Sequence, residues 1–270
     1  MGDCIWIAEI GINHNGSMQN VIALIDLAKK HGFDYVKFQK RDIDSCYTKE
    51  YLDSFRESPW GKTQRDQKLG LELSIDNYKY INLYCRKIGI GWYYSPWDVK
   101  SAELMLQFKT DYVKIARASI TNEELYNFYS DTELSLIISS TIYDNSIFDL
   151  NNDNIEYILS CVSIYPAPNN FTGLICIDKL CNRYPTKKIG YSNHSSSWIH
   201  PVIASYLGAK MIEVHITLDK NSYGSDQKAS LDGNDLANIM KYKRRELNEA
   251  ELNEYLIKEN EVLSKLRQTW

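Results

Sequence analysis

Short apolar runs alternate with amphipathic segments along most of the chain. The eight runs are rich in Ile, Val or aromatic residues, which favours strands buried on both faces of a parallel sheet. They lie at 4–10, 35–39, 89–95, 112–116, 134–139, 158–165, 187–192 and 209–217. A helical period marks 17–32, 75–87, 98–108, 121–129, 197–207 and a charged stretch from about 234. This alternation predicts a closed (β/α)8 barrel at residues 1–240 and a C-terminal helical tail at 241–270.

One alternative architecture is an open doubly wound sheet, but no G-x-G-x-x-G sequence follows the first predicted strand. Residues 41–70 form a long, charged insertion after the second strand. Long connections of this kind often act as lids or binding loops.

The composition is typical of a soluble globular protein, since 44% of the residues are hydrophobic and 24% are charged. A formal net charge of -4 argues against nucleic acid or an acidic membrane surface as the main partner. The chain shows no run of about 18 apolar residues and no basic secretory leader, so we expect no membrane association. Its six scattered cysteines include no C-x-x-C pair, which favours reduced thiols in a cytoplasmic protein.

Polar residues stand at the predicted carboxyl ends of the strands, where (β/α)8 barrels carry their active sites. Glu9 lies near the end of the first strand, Lys37 lies on the second and Lys114 on the fourth. A lysine inside a barrel is costly to bury without an anionic partner. Together with Ser140 and Ser192, the two lysines therefore indicate a phosphate site.

Two histidines, His194 and His215, belong to the ends of the neighbouring seventh and eighth strands. As neutral imidazoles they would suit a divalent metal ion that polarises a carbonyl group. Each residue type also has a purely structural interpretation, because strand histidines often hydrogen-bond within a core and strand lysines often reach solvent at an edge. For the histidine pair, spacing alone leaves both interpretations open.

Six long motifs occur in order along the chain. They are A-E-I-G-I-N-H-N-G (8–16), V-K-F-Q (36–39), S-P-W-D (95–98), C-V-S-I-Y-P-A-P (161–168), G-Y-S-N-H (190–194) and the stretch at 207–231. Together they resemble the sialic acid synthase family, whose members are N-acetylneuraminate, legionaminate and pseudaminate synthases.

The resemblance implies that the enol carbon of phosphoenolpyruvate attacks the aldehyde of an N-acylhexosamine such as N-acetylmannosamine. Phosphate leaves, and a nine-carbon 2-keto acid results. The resemblance also implies a Mn2+ or Mg2+ ion on His194 and His215, with Glu9 as a nearby carboxylate for proton transfer. Residues that bind phosphoenolpyruvate map to Lys37, Lys114, Ser140 and Ser192, and residues that meet the sugar map to Gln39, Tyr165 and Asp226.

The chain departs from the family pattern around the sugar. Ser119 stands where the family has an acidic residue that contacts the sugar, Asn193 stands where it has Asp, and Val214 stands where it has a basic residue. Because the metal and phosphate positions are kept, these changes favour altered sugar specificity over reduced activity.

Family members carry a C-terminal antifreeze-like domain that covers the partner's sugar site across a dimer, and this sequence leaves no room for it. The resemblance implies a homodimer. In this chain we expect the sugar site to be more open, covered by the insertion at 41–70, or covered by a separate chain.

Three other functions remain open. The weakest is a metal-dependent aldolase or isomerase, which would need metal-binding carboxylates at the strand ends besides Glu9. An octulosonate-type 2-keto sugar acid synthase would need a second phosphate site, and the sequence shows no extra basic cluster for one. A catalytically idle barrel that binds a sugar or a partner would agree with the lost acid at Ser119. That function would leave the retained Glu9, lysines and histidines without a role.

Overall fold

Eight parallel strands close into a barrel, as the sequence predicts. The structure is a computed structural model that describes residues 4–130, 132–141, 149–243, 253–254 and 256–258. In chain order the strands are β1 (Ile5–Gly11), β2 (Tyr35–Lys40), β3 (Phe55–Ser58), β4 (Gly61–Thr63), β5 (Gly91–Pro96), β6 (Tyr112–Ile115), β7 (Ser135–Ser140), β8 (Ile155–Cys161), β9 (Lys188–Asn193) and β10 (Met211–His215). All but β3 and β4, which form a separate antiparallel hairpin, pair in chain order around the ring, and β10 returns to β1.

Helices follow most of the strands, and those outside the insertion at 41–70 pack around the barrel. They are α1 (Met18–Lys30), α2 (Ile43–Cys46), α3 (Lys49–Asp53), α4 (Gln64–Leu71), α5 (Ile75–Ile88), α6 (Val99–Met105), α7 (Glu123–Ser130), α8 (Ile175–Arg183), α9 (Ile199–Tyr206) and α10 (Gly233–Lys243). The first of them shows why the sequence folds this way. Ser17 accepts a hydrogen bond from the amide of Asn20 and caps α1, whose apolar stripe is buried. Gly32, in the left-handed region with φ of +66°, follows the helix end.

The predicted and observed elements differ mainly around β8. The apolar run at 158–165 predicts a strand to residue 165, but β8 ends at Cys161 and the last residues of the run form a loop. The helix α8 was not predicted, although its buried residues Cys176, Ile177 and Leu180 form a short stripe.

The barrel interior changes from apolar to charged along the strand direction. Its lower part is a cluster of Ile7, Tyr93, Ile137, Tyr157, Leu159 and Met211. Alternate residues of a strand point to the same face, so the next inward positions lie one layer higher. On β1 this places Glu9 above Ile7, and on β10 it places Glu213 above Met211. Both carboxylates are buried. The charged layer therefore lies at the carboxyl ends of the strands.

The insertion at 41–70 is folded rather than an irregular loop. It contains α2, α3, the hairpin β3–β4 and most of α4, whose start is fixed by a capping box between Thr63 and Asp66. The insertion packs on the turn after β1 so closely that a Cβ atom on Gly16 would overlap the carbonyl oxygen of Gly70. Trp60 also packs edge-on against Tyr223, in the loop after β10. The insertion therefore lies beside the mouth of the barrel.

The predicted tail falls mostly outside the described residues. Helix α10 crosses the expected boundary at residue 240 and extends to Lys243. In the described part of the chain, no helix combines the length and apolar character that a membrane span requires. All six cysteines lie in that part and carry free thiols.

Candidate active site

A cavity of about 240 Å3 opens at the carboxyl ends of the strands. Every barrel strand supplies a lining residue, at the strand or one residue beyond it. These residues are Glu9, Lys37, Gln39, Ser95, Lys114, Ala116, Ser139, Cys161, His194, Glu213 and His215. The position is the one in which (β/α)8 barrels place their active sites.

Two lysines and two glutamates form a buried ion network at the cavity floor. The Lys37 Nζ lies 3.2 Å from a Glu9 oxygen and 3.5 Å from a Glu213 oxygen, while the Lys114 Nζ lies 2.5 Å from Glu213. The Ser192 hydroxyl donates a further bond of 3.0 Å to Glu213. All four charged side chains are at most 4% exposed. The sequence predicted that the lysines need an anionic partner, and Glu213 contacts both of them.

The network shifts the pKa of each member in a direction set by burial and by its neighbours. Burial raises the pKa of Glu9, and Lys37 only partly offsets this. Burial also acts on Glu213, but Lys114 and Lys37 outweigh it and hold its pKa well below the usual range. Burial lowers the pKa of Lys114, whereas for Lys37 the carboxylates of Glu213 and Glu9 outweigh burial and raise it. Glu9 is therefore the carboxylate of the pair that more readily takes up a proton.

The two predicted metal ligands lie side by side. The ring centroids of His194 and His215 are 5.3 Å apart. The Nδ1 of His194 lies 2.5 Å from the carbonyl of Val162, so this nitrogen carries the proton and donates it. Its Nε2 lies 2.9 Å from the hydroxyl of Tyr165, whose ring stacks on the imidazole at 4.1 Å.

His215 is buried and neutral. Burial lowers its pKa to about 3. Its Nδ1 lies 3.7 Å from a carboxylate oxygen of Asp226 and makes no hydrogen bond to any described residue. A buried donor or acceptor without a partner is unusual and requires an explanation. One explanation is a ligand that this nitrogen binds.

The donor set fits a divalent metal ion, although the protein groups alone do not complete a site. Among the residues that the structure describes, no three His, Cys, Asp or Glu side chains converge as a ready metal cluster. Two imidazoles beside the carboxylate of Asp226 nevertheless supply nitrogen and oxygen donors that divalent transition metals accept. The unpartnered Nδ1 of His215 is the observation that favours this fit.

Most of the predicted site residues line the cavity, and three do not. Besides the residues of the floor and the histidines, Gln39, Tyr165 and Asp226 line it. Ser192 lies beside Glu213 on the neighbouring strand and donates to it, and Ser140 is buried with its hydroxyl 3.1 Å from the carbonyl of Thr141. Ser119 is buried in a 3-10 turn at Arg117–Ser119, and its neighbours Arg117 and Ala118 line the cavity instead.

The insertion supplies cavity residues that the sequence analysis did not identify. They are Arg41, Tyr47, Lys68 and, just beyond the insertion, Leu71 and Glu72. The Arg41 guanidinium donates a hydrogen bond to the Gln39 side chain and lies 4.2 Å from the ring centroid of Trp97. Gln39 in turn donates to Glu9 at 2.6 Å. The length and charge of the insertion were the signals available, but they do not show which side chains face the site.

The sequence matches the model of the NeuB family over residues 24–252. It is 33% identical to the N-acetylneuraminate-9-phosphate synthase of Drosophila melanogaster over 85% of the chain and 64% of that protein. It is 29% identical to the N,N'-diacetyllegionaminic acid synthase of Legionella pneumophila over 88% of the chain and 70% of that protein. The chain thus spans about two thirds of the length of these curated relatives.

Among solved structures, the fold is similar to that of the spore coat polysaccharide biosynthesis protein SpsE of Bacillus subtilis. The TM-score is 0.75 at 28% identity, and the match covers 93% of this chain and 73% of that one.

Proposed function

The chain belongs to the NeuB family, and on this basis we propose that it condenses phosphoenolpyruvate with an N-acylhexosamine of the N-acetylmannosamine type. Phosphoenolpyruvate, the aldose and one water molecule give a nonulosonic acid and inorganic phosphate. The observation that carries this proposal is the pair of buried ammonium groups, Lys37 and Lys114, beside two buried histidines at one barrel mouth.

Phosphoenolpyruvate is a small, highly charged anion, and the floor of the cavity supports its binding. Lys37 and Lys114 would meet its phosphate and carboxylate groups through charge-assisted hydrogen bonds. Ser192 orients Glu213 between these lysines, and at the end of β7 the hydroxyl that lines the cavity is that of Ser139 rather than the predicted Ser140. The new carbon–carbon bond forms between the enol carbon and the aldehyde carbon. Water then adds at the former enol carbon, and phosphate leaves from it.

His194 and His215 would hold the divalent ion, Mn2+ or Mg2+, with Asp226 nearby. Such an ion, when bound, polarises the aldehyde oxygen. Tyr165 orients His194 by donating to its Nε2 when no ion is present. Glu9, with its raised pKa, is the group we assign to proton transfer.

The sugar would lie between the histidines and the insertion. Gln39 connects Glu9 to Arg41, so it is placed to read a hydroxyl group near the reacting end. Tyr165 and Asp226 line the same part of the cavity. Ser119 would act through the Arg117–Ser119 turn that it helps to form. We further propose that the protein acts as a cytoplasmic homodimer, in which the sugar site is open, covered by the insertion at 41–70, or covered by a separate chain.

Phosphate release from phosphoenolpyruvate in the presence of an aldose tests the function. Lys37→Ala and Lys114→Ala should each weaken phosphoenolpyruvate binding by about tenfold or more, because each removes a charged partner of the anion. Lys188→Ala is the control, since Lys188 pairs with Glu156 on the barrel surface. Unchanged affinity in both floor variants would place the phosphate site elsewhere.

A further inference from the structure

Tyr165 contacts the nitrogen of His194 that a metal ion would use. The Nδ1 of His194 is bound to the carbonyl of Val162 at 2.5 Å, which leaves Nε2 for a ligand. That atom lies 2.9 Å from the Tyr165 hydroxyl. The hydrogen bond engages Nε2 whichever of the two atoms carries the proton. An ion that binds Nε2 must therefore displace the hydroxyl.

The other neighbours of Nε2 in the described part of the chain are more distant than Tyr165. The Ser192 hydroxyl lies 3.5 Å from Nε2, but it donates its proton to Glu213 at 3.0 Å. The Cys161 thiol lies 4.0 Å from Nε2, and thiols form weak hydrogen bonds. The Tyr165 hydroxyl is therefore the group that an incoming ion has to replace.

The ring of Tyr165 packs against both histidines of the pair. It stacks on His194 with ring centroids 4.1 Å apart and an interplanar angle of 28°, and it meets His215 edge-on at 5.6 Å. This stack and the bond to Val162 orient His194 independently of the hydroxyl. Removal of the hydroxyl alone therefore leaves the imidazole in place.

The loop that carries Tyr165 is bound to the same histidine. The amide of Ala167 donates to the His194 carbonyl at 2.8 Å, and the Val162 carbonyl binds the His194 ring. These two contacts fix the backbone on both sides of Tyr165. The residue itself is 44% exposed and lines the cavity. Its side chain can therefore change rotamer toward the cavity while the loop backbone stays in place.

We propose that the Tyr165 hydroxyl and a divalent metal ion compete for Nε2 of His194, and that binding of the ion turns the Tyr165 side chain into the cavity. Tyr165 is then a positioning residue, because it holds His194 in orientation before the ion binds. The inference rests on the proposed function only in taking His194 and His215 as the ligands of the ion.

Titration of Mn2+ without any substrate tests this competition. Electron paramagnetic resonance measures the free ion in the presence of the wild type or of Tyr165→Phe, which removes the hydroxyl and keeps the ring. We expect the variant to bind Mn2+ about five- to tenfold more tightly, because the ion no longer replaces a hydrogen bond. A residue that only orients His194 would give the opposite sign.

Two further variants control the titration. Tyr84→Phe is matched to Tyr165→Phe, since the Tyr84 hydroxyl donates to Asp26 at 2.7 Å between the outer helices α5 and α1. It should leave the Mn2+ affinity unchanged. His215→Ala should abolish the binding, which shows that the titration reports the histidine pair. Thermal melting shows whether each variant is folded.

Unchanged or weaker binding of Mn2+ by Tyr165→Phe would overturn the proposal, as would equal tightening in Tyr84→Phe. Binding that persists in His215→Ala, or that is undetectable in the wild type, would also overturn it, because the ion would then not lie on the histidine pair. Phosphate release from phosphoenolpyruvate tests the condensation separately. Its failure would refute the proposed function, while the Mn2+ titration would still decide the competition.

Discussion

Glu213 is the residue on which the electrostatics of the cavity floor depend. It is 1% exposed and contacts both Lys37 and Lys114. The sequence places Glu213 two residues before His215 and hence on the same face of the last strand. That Glu213 contacts both lysines could not be predicted, because the contact depends on how the barrel closes. Removing one member of a buried ion network leaves the remaining charges buried without a counter-ion. The loss of folding free energy is then larger than the net contribution of the intact ion pair.

Glu213→Gln should therefore lower the free energy of unfolding by about 3 kcal/mol, because two buried ammonium groups lose their shared carboxylate. Glu156→Gln is the control. It breaks a partly exposed pair with Lys188, and such pairs contribute about 1 kcal/mol or less. Urea denaturation of both variants measures the difference. A similar, small loss in both would mean that Glu213 does not hold the floor together.

At the scale of elements, the eight barrel strands could be predicted because parallel strands that are buried on both faces consist of continuous apolar runs. The predicted end of β8 was wrong because the apolar residues Val162 and Ile164 follow the strand directly but belong to a loop. The positions of Lys68 and Arg41 over the cavity could not be predicted, because they depend on how the insertion packs against the turn after β1 and the loop after β10.

That packing predicts the effect of Gly16→Ala. The new Cβ would overlap the carbonyl oxygen of Gly70 and push the insertion outward, so stability should fall by about 1–3 kcal/mol beyond the backbone cost. Gly208→Ala is the matched control, because Gly208 also has a positive φ, of +88°, but a Cβ there would meet no atom within 4 Å. Thermal melting and the KM for the sugar should both change more in Gly16→Ala. Equal effects in the two variants would show that the contact with Gly70 is unimportant.

For the molecule as a whole, buried neutral histidines predict acid sensitivity. Burial lowers the pKa of His14 and His200 to about 4 and that of His215 to about 3, against 6.5 for an ordinary histidine. Between pH 6.5 and these values the unfolded chain binds more protons than the folded chain. The contribution of these three histidines to stability is therefore complete above about pH 6.5 and falls as the pH falls, by up to about 1.4 kcal/mol per pH unit for each of them. Urea denaturation at pH 7.5, 6 and 5 measures this slope, and constant stability over that range would contradict it.

The sequence was sufficient to predict the barrel, its polar mouth and its family resemblance. It was not sufficient to predict which charged side chains pair with one another in the cavity. Lys37 and Lys114 stood out as buried cations, and the structure adds the carboxylates that pair with them and the two cations of the insertion, Arg41 and Lys68, that line the cavity. The described residues thus combine a floor of paired charges, a buried histidine pair and cationic side chains of the insertion in one cavity.

Identification of the product by mass spectrometry tests the central claim most directly. The chain is incubated with phosphoenolpyruvate, Mn2+ and N-acetylmannosamine or its 6-phosphate. The condensation predicts a new 2-keto acid whose mass is that of both substrates plus water minus phosphoric acid, formed in a one-to-one ratio with released phosphate. Release of phosphate with pyruvate as the only organic product, or no consumption of phosphoenolpyruvate with either sugar, would contradict it.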